Sequence, residues 1–222
     1  MKEVVSAGEL CGGALRHSPR AVEEISGYKK FSNKGHDYLE TSVEVVEETR
    51  KQRSQHSRGL IGARSVCEIP AAGPRSMKLL TDYYHPVELD GNEVLPEGLV
   101  YDMGKYATAD FTSALLYYTC VSPEVKGSEE DPARIKIRLH VFGRDGKKPS
   151  RDALMKVAHS AGLSVARELE CENDGGLPEK PVLDGVKAPP PKWKRDFGLV
   201  GDPGEGRGRG RKGSGRRRRG GG

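Results

Sequence analysis

The clearest alternation of polar and apolar residues in the chain is Arg134-Ile135-Lys136-Ile137-Arg138-Leu139-His140-Val141. A period of two puts Ile135, Ile137, Leu139 and Val141 on one face and Arg134, Lys136, Arg138 and His140 on the other, which predicts a strand with one core face and one basic face. Residues 111–121 are apolar on both faces and rich in aromatic and β-branched side chains, the pattern of a central strand. Apolar runs over 60–69, 77–84 and 94–101, each among turn residues, predict three more strands.

Helical spacing appears in three places. Leu39, Val43 and Val46 share a face, with Asp37 placed to cap, Glu40 three residues later and Glu47 four before Lys51, which predicts an amphipathic helix over 38–53. A short helix is expected from Pro19 to Ile25. Ser150 sits where a cap belongs, Asp152 falls in the first turn, and Leu154, Val157, Ala158 and Ala161 line one face; Gly162 reads as the C-terminal stop. Leu163, Val165 and Leu169 then read as a short strand over 163–169.

The order strand, strand, helix, strand from 111 to 170 predicts an α+β fold: a single compact domain with a mainly antiparallel sheet, one or two covering helices and disordered ends. Four segments follow: a loosely ordered N-terminal lead over 1–36, the α+β body over 37–170, a Pro/Gly-rich linker over 171–203 and a basic tail over 204–222. No internal repeat is visible.

Composition narrows the class. The hydrophobic fraction is 35%, and 29 Gly with 14 Pro leave a sizeable part of the chain unsuited to a core. No apolar run is long enough for a membrane span, and the N-terminal residues lack the pattern of a secretory leader. The expectation is a soluble, intracellular protein, cytoplasmic or nuclear, within a host cell if it is viral. Cys11, Cys67, Cys120 and Cys171 lie tens of residues apart without paired spacing, which predicts reduced, structural thiols.

The net charge of +5 is unevenly placed: over 204–222, eight cations against Glu205 make +7, leaving −2 for residues 1–203. Arg207, Arg209 and Arg211 alternate with glycine, Lys212 follows, and Arg216, Arg217, Arg218 and Arg219 are contiguous. Such a segment buries too little to fold alone, yet it can lay forked donors along phosphates and stack guanidinium planes on unpaired bases. Gly206, Gly208 and Gly210 do not form a dinucleotide fingerprint, because no strand precedes them and no helix follows.

Arg134, Lys136 and Arg138 make a second candidate surface on the basic strand face, with Lys147, Lys148 and Arg151 just beyond it; an ordinary half-exposed sheet reads the same way. The basic run from Arg50 to Arg58 reads as a solvated helix end, with a second nucleic-acid contact as the alternative. Trp193 among Lys192, Lys194 and Arg195 either pins the linker to the body or stacks on a base.

Nothing resembles a nucleophile elbow, a P-loop, a His-Glu-x-x-His helix or a zinc ligand set, so no catalytic residue, metal or cofactor is predicted and the chain is not expected to be an enzyme. The leading expectation is sequence-nonspecific binding of nucleic acid, RNA or single-stranded DNA before duplex, through the tail. The body would supply self-association, protein contacts or a weaker second surface. A small body with one arginine-rich arm suits viral proteins that package, move or sequester RNA, and the missing cellular RNA-binding module inclines the expectation that way. The alternative is a structural or adaptor protein whose body binds protein partners and whose tail, with Arg211-Lys212 spaced from Arg216 to Arg219, is a nuclear-targeting signal.

Overall fold

A computed structural model describes residues 4–32, 38–54, 65–69, 75–84, 89, 95, 98–143 and 148–187. The fold is α+β. Strands β1 (Val4–Val5) and β2 (Phe31–Ser32) pair with each other. The main sheet comprises β3 (Ser65–Ile69), β4 (Arg75–Tyr83), β5 (Leu99–Tyr101), β6 (Tyr106–Ala109), β7 (Ser113–Cys120), β8 (Ala133–Gly143) and β9 (Val186–Lys187). Its order is β3-β4-β8-β7-β6-β5-β9, and every neighbouring pair is antiparallel. Three α-helices accompany it: α1 (Pro19–Ser26), α2 (Tyr38–Ser54) and α3 (Arg151–Glu168).

The basic alternating segment is β8, paired along its length with β4 on one side and β7 on the other. Its apolar residues Ile135, Ile137 and Leu139 are fully buried, and α3 lies across β6, β7 and β8 on that face. Each such side chain contributes roughly 2 kcal/mol of burial. Beside α3, α2 covers β3 and β4. There the hydroxyls of Tyr38, Ser42 and Thr81 satisfy one another in the core, at 2.6 Å between Tyr38 and Thr81 and 3.0 Å between Ser42 and Thr81.

Helix α3 begins as expected, with the Ser150 hydroxyl accepting from the Ala153 amide at 3.0 Å. It does not stop at Gly162. The helix continues to Glu168, and the strand expected over 163–169 is its last two turns. Tertiary packing sets the glycine: a Cβ at position 162 would stand 2.8 Å from the Leu116 side chain, so this residue lets helix and sheet approach. The Tyr118 hydroxyl donates to the Gly162 carbonyl at 3.1 Å across the same contact.

Two segments expected at the margins belong to the body. In the lead, Ala7, Leu10, Ala14, Leu15, Val22 and Ile25 join the core cluster, and α1 packs on α3. The Ser160 and Ser164 hydroxyls donate to the Ala14 carbonyl at 3.0 and 3.1 Å. In the supposed linker, residues 171–187 run back along the body: Leu177 is buried, His159 donates from Nε2 to the Pro178 carbonyl at 2.8 Å, and β9 pairs with β5. The return begins at Asn173, Asp174 and Gly175, all left-handed with φ of 50°, 51° and 69°, residue types that take this conformation readily.

The expectation of reduced thiols is overturned. Cys11 bridges Cys67, and Cys120 bridges Cys171, with Cα atoms 5.7 and 5.0 Å apart. Partners 56 and 51 residues apart meet only through the fold, which is why their spacing carried no sign of it. One bridge ties the N-terminal layer to sheet-edge strand β3, and the other ties the end of β7 to the turn after α3. Such bridges belong to chains that fold where thiols are oxidised, so the intracellular expectation loses the support it drew from the cysteines.

Closing a loop of about 50 residues stabilises a fold by about 4 kcal/mol in the chain-entropy account. Paired Cys11→Ser and Cys67→Ser substitutions are therefore expected to lower stability by about 2–4 kcal/mol in urea titrations. Thiol labelling of unreduced, denatured wild type is expected to find no free cysteine; four labelled thiols would contradict both bridges.

Burial holds the imidazole of His159, only 1% exposed, below its ordinary pKa. A depressed histidine supports the folded state fully above the unfolded value near 6.5 and withdraws that support as pH falls below it. Stability is thus expected to decline from pH 7 to pH 5, and His159→Gln is expected to flatten the decline; an equal slope in both proteins would remove His159 as its source.

Candidate nucleic-acid interface

Of the residues singled out for nucleic acid, Arg134, Lys136 and Arg138 fall within the described structure. Arg207, Arg209, Arg211, Lys212 and Arg216 to Arg219 lie outside it, as do Trp193 and the side chains from Arg50 to Arg58. The geometry of the site is therefore that of the outer face of β8, opposite the helices.

That face changes character along its length. At the start of β8, the Arg134 guanidinium donates to the Tyr83 hydroxyl at 2.9 Å and to Asp131 at 2.8 Å. One residue pair further, Lys136 lies between Asp82 of β4 and Tyr117 of β7. It is only 5% exposed, with Nζ 5.7 Å from the centre of the Tyr117 ring. Tyr117 meets Tyr84 edge to face at 5.1 Å and Tyr106 at 6.0 Å, and Leu115, Leu89 and Leu95 complete a second apolar cluster. The basic row therefore does not face water along its whole length. A lysine stem packs well on aromatic rings, and here the rings cover it.

Beyond Lys136 the face opens. Arg138 is half-buried between Leu80 and Leu115. His140 sits between Lys78 and Ser113, and its Nδ1 is hydrogen-bonded to the Ser113 hydroxyl at 2.8 Å. Burial first, then the Arg138 cation, lowers the pKa of His140, which favours the neutral ring. Phe142 follows, 57% exposed, its ring centre 6.3 Å from that of His140.

The same end of the sheet holds the bend into β7, where Asp110 caps the turn by accepting from the amides of Thr112 and Ser113, both at 2.7 Å. Phe111 in that bend carries two cations at the entry to α3: Lys148 Nζ is 4.5 Å and the Arg151 guanidinium carbon 3.9 Å from its ring centre. Sequence reasoning noted Lys148 and Arg151 but missed both phenylalanines. The period-two alternation, carried one step past His140, was the available signal for Phe142.

Among the described residues, no group of three or more His, Cys, Asp or Glu side chains is placed to hold a metal ion, and no helix is long and apolar enough to cross a membrane. No family model matches the chain, and neither a curated protein nor a solved structure matches it.

Burial separates the three basic residues of β8 experimentally. Lys136→Ala is expected to lower folding stability by about 1–2 kcal/mol through lost packing on Tyr117, and to leave nucleic-acid affinity within twofold. Filter binding and thermal melts on the full chain check this; a large affinity loss in a fully stable variant would restore Lys136 to the binding surface.

Proposed function

We propose that this protein binds nucleic acid without reading its sequence, RNA or single-stranded DNA in preference to duplex, and that its Arg/Gly-rich tail makes most of the phosphate contacts. The observation that carries the reading is the charge partition: +7 over residues 204–222 against −2 over the rest. A body of that balance exerts little general attraction on a polyanion, whereas guanidinium groups spaced by glycine can each reach a phosphate. RNA and single strands are favoured because arginine planes also stack on unpaired bases. In this reading the protein is a binder without a catalytic step, and packaging or sequestering a viral RNA is a role it would suit.

The spacing of Arg211-Lys212 from Arg216–Arg219 also suits a nuclear-import signal, with the body as a protein-binding adaptor. The two readings part on one comparison, between the full chain and a chain ending at Pro203, titrated with single-stranded RNA across a salt series. If half of the eight tail cations meet phosphates, the full chain should show a slope of log K against log salt of about −3, from about −0.7 per contact. The truncated chain should bind about tenfold or more weakly at low salt, with a much shallower slope. Equal affinity and slope in the two would end the tail-binding reading and favour the adaptor.

A further inference from the structure

Phe142 is the only aromatic ring among the exposed large apolar side chains of the described residues. A single exposed apolar residue is ordinary on a protein surface. The surroundings of this one are not. On the same sheet face, His140 precedes it with a tilted ring 6.3 Å away, and Lys78 lies opposite His140 in the neighbouring strand. Arg138 stands two residues back along β8, and Lys148 and Arg151 flank Phe111 at the same end of the sheet. Of the carboxylates there, Asp110 accepts from the amides of its own loop, Asp152 accepts from the Tyr101 hydroxyl, and Glu68 is ion-paired with Lys78 at 3.5 Å. Lys78 and Arg138 thus lie on the face that carries this exposed ring, and Lys148 and Arg151 hold Phe111 at the same end of the sheet.

An aromatic face bordered by cations matches a nucleotide in two respects. Every base presents a π-face to a ring of this kind, and every nucleotide carries a phosphate to a lysine or arginine beside it. The His140 ring sets a second flat surface next to the first. Duplex bases are stacked on one another and offer no free face, so the occupant is single-stranded.

We propose that this end of the sheet is a stacking site for an unpaired base: Phe142 takes the base, and Lys78, Lys148 and Arg151 take flanking phosphates. The proposal rests on the nucleic-acid reading above and adds a second contact of a different kind. The tail supplies most of the attraction to phosphates, with arginine planes that can stack on any base; Phe142 adds a fixed aromatic surface that takes one base.

The test uses the full chain and two labelled probes, a short oligothymidine and an abasic strand of the same length and charge, compared by fluorescence anisotropy at one salt concentration. Wild type is expected to prefer the base-bearing strand by about 5- to 100-fold. Phe142→Ala should cut that preference about fivefold or more, while Phe142→Trp should keep it and the melting temperature of both variants should stay that of wild type. The salt slope should not change in Phe142→Ala, because no charge is lost. Equal binding of the two probes by wild type, with a steep salt slope, would overturn this site and leave the tail reading standing. A preference undiminished in Phe142→Ala would overturn it as well. Failure to bind either probe would overturn the nucleic-acid reading itself.

Discussion

Helix α3 is apolar nearly all the way round, with thirteen of its eighteen residues buried, and the rest of the structure answers to that. A helix of this kind cannot lie on the surface; it must be covered on every side. The sheet covers one side through β6, β7 and β8, and α1 with the coil before it covers another. The N-terminal residues are therefore as much a part of the core as the sheet. The polar atoms on the helix follow the same requirement, since Ser160 and Ser164 both find the Ala14 carbonyl.

Helices α3 and α2 side by side occupy one face of the sheet, so the outer face carries whatever variety the surface shows. It is closed in its middle by Tyr84, Tyr117 and Leu115, which take in Lys136, and open at the end where β8 reaches Phe142. The two halves of one strand thus serve different purposes. Lysine near the middle is a packing residue with a charged end, whereas the aromatic and basic groups at the rim keep an accessible surface.

The alternation over 134–141 was legible as a strand because it reports a local constraint, the two sides of a pleat, and β7 was legible because a central strand is apolar on both sides. The Ser150 cap was local in the same sense. What escaped was set by partners distant in sequence. Gly162 read as a stop because glycine weakens helices, yet the side chain of Leu116 demands it there. The lead over 4–32 lacks a sustained period because turns and short elements make it up, the eight-residue α1 the longest of them. The cysteine pairs and the cover over Lys136 likewise arise between strands that only the fold brings together. Tyr106–Ala109, a short strand between turns, was too brief to stand out.

The two bridges close separate, non-crossing loops, residues 11–67 and 120–171. A peptide bond cut anywhere inside either loop leaves the two chain ends attached through sulfur. Between Cys67 and Cys120, and beyond Cys171, no such link exists, and a cut there leaves two chains joined only by non-covalent contacts. A form nicked inside a loop can therefore migrate as one species under denaturing conditions until it meets a reductant, whereas a form nicked elsewhere gives two species without one.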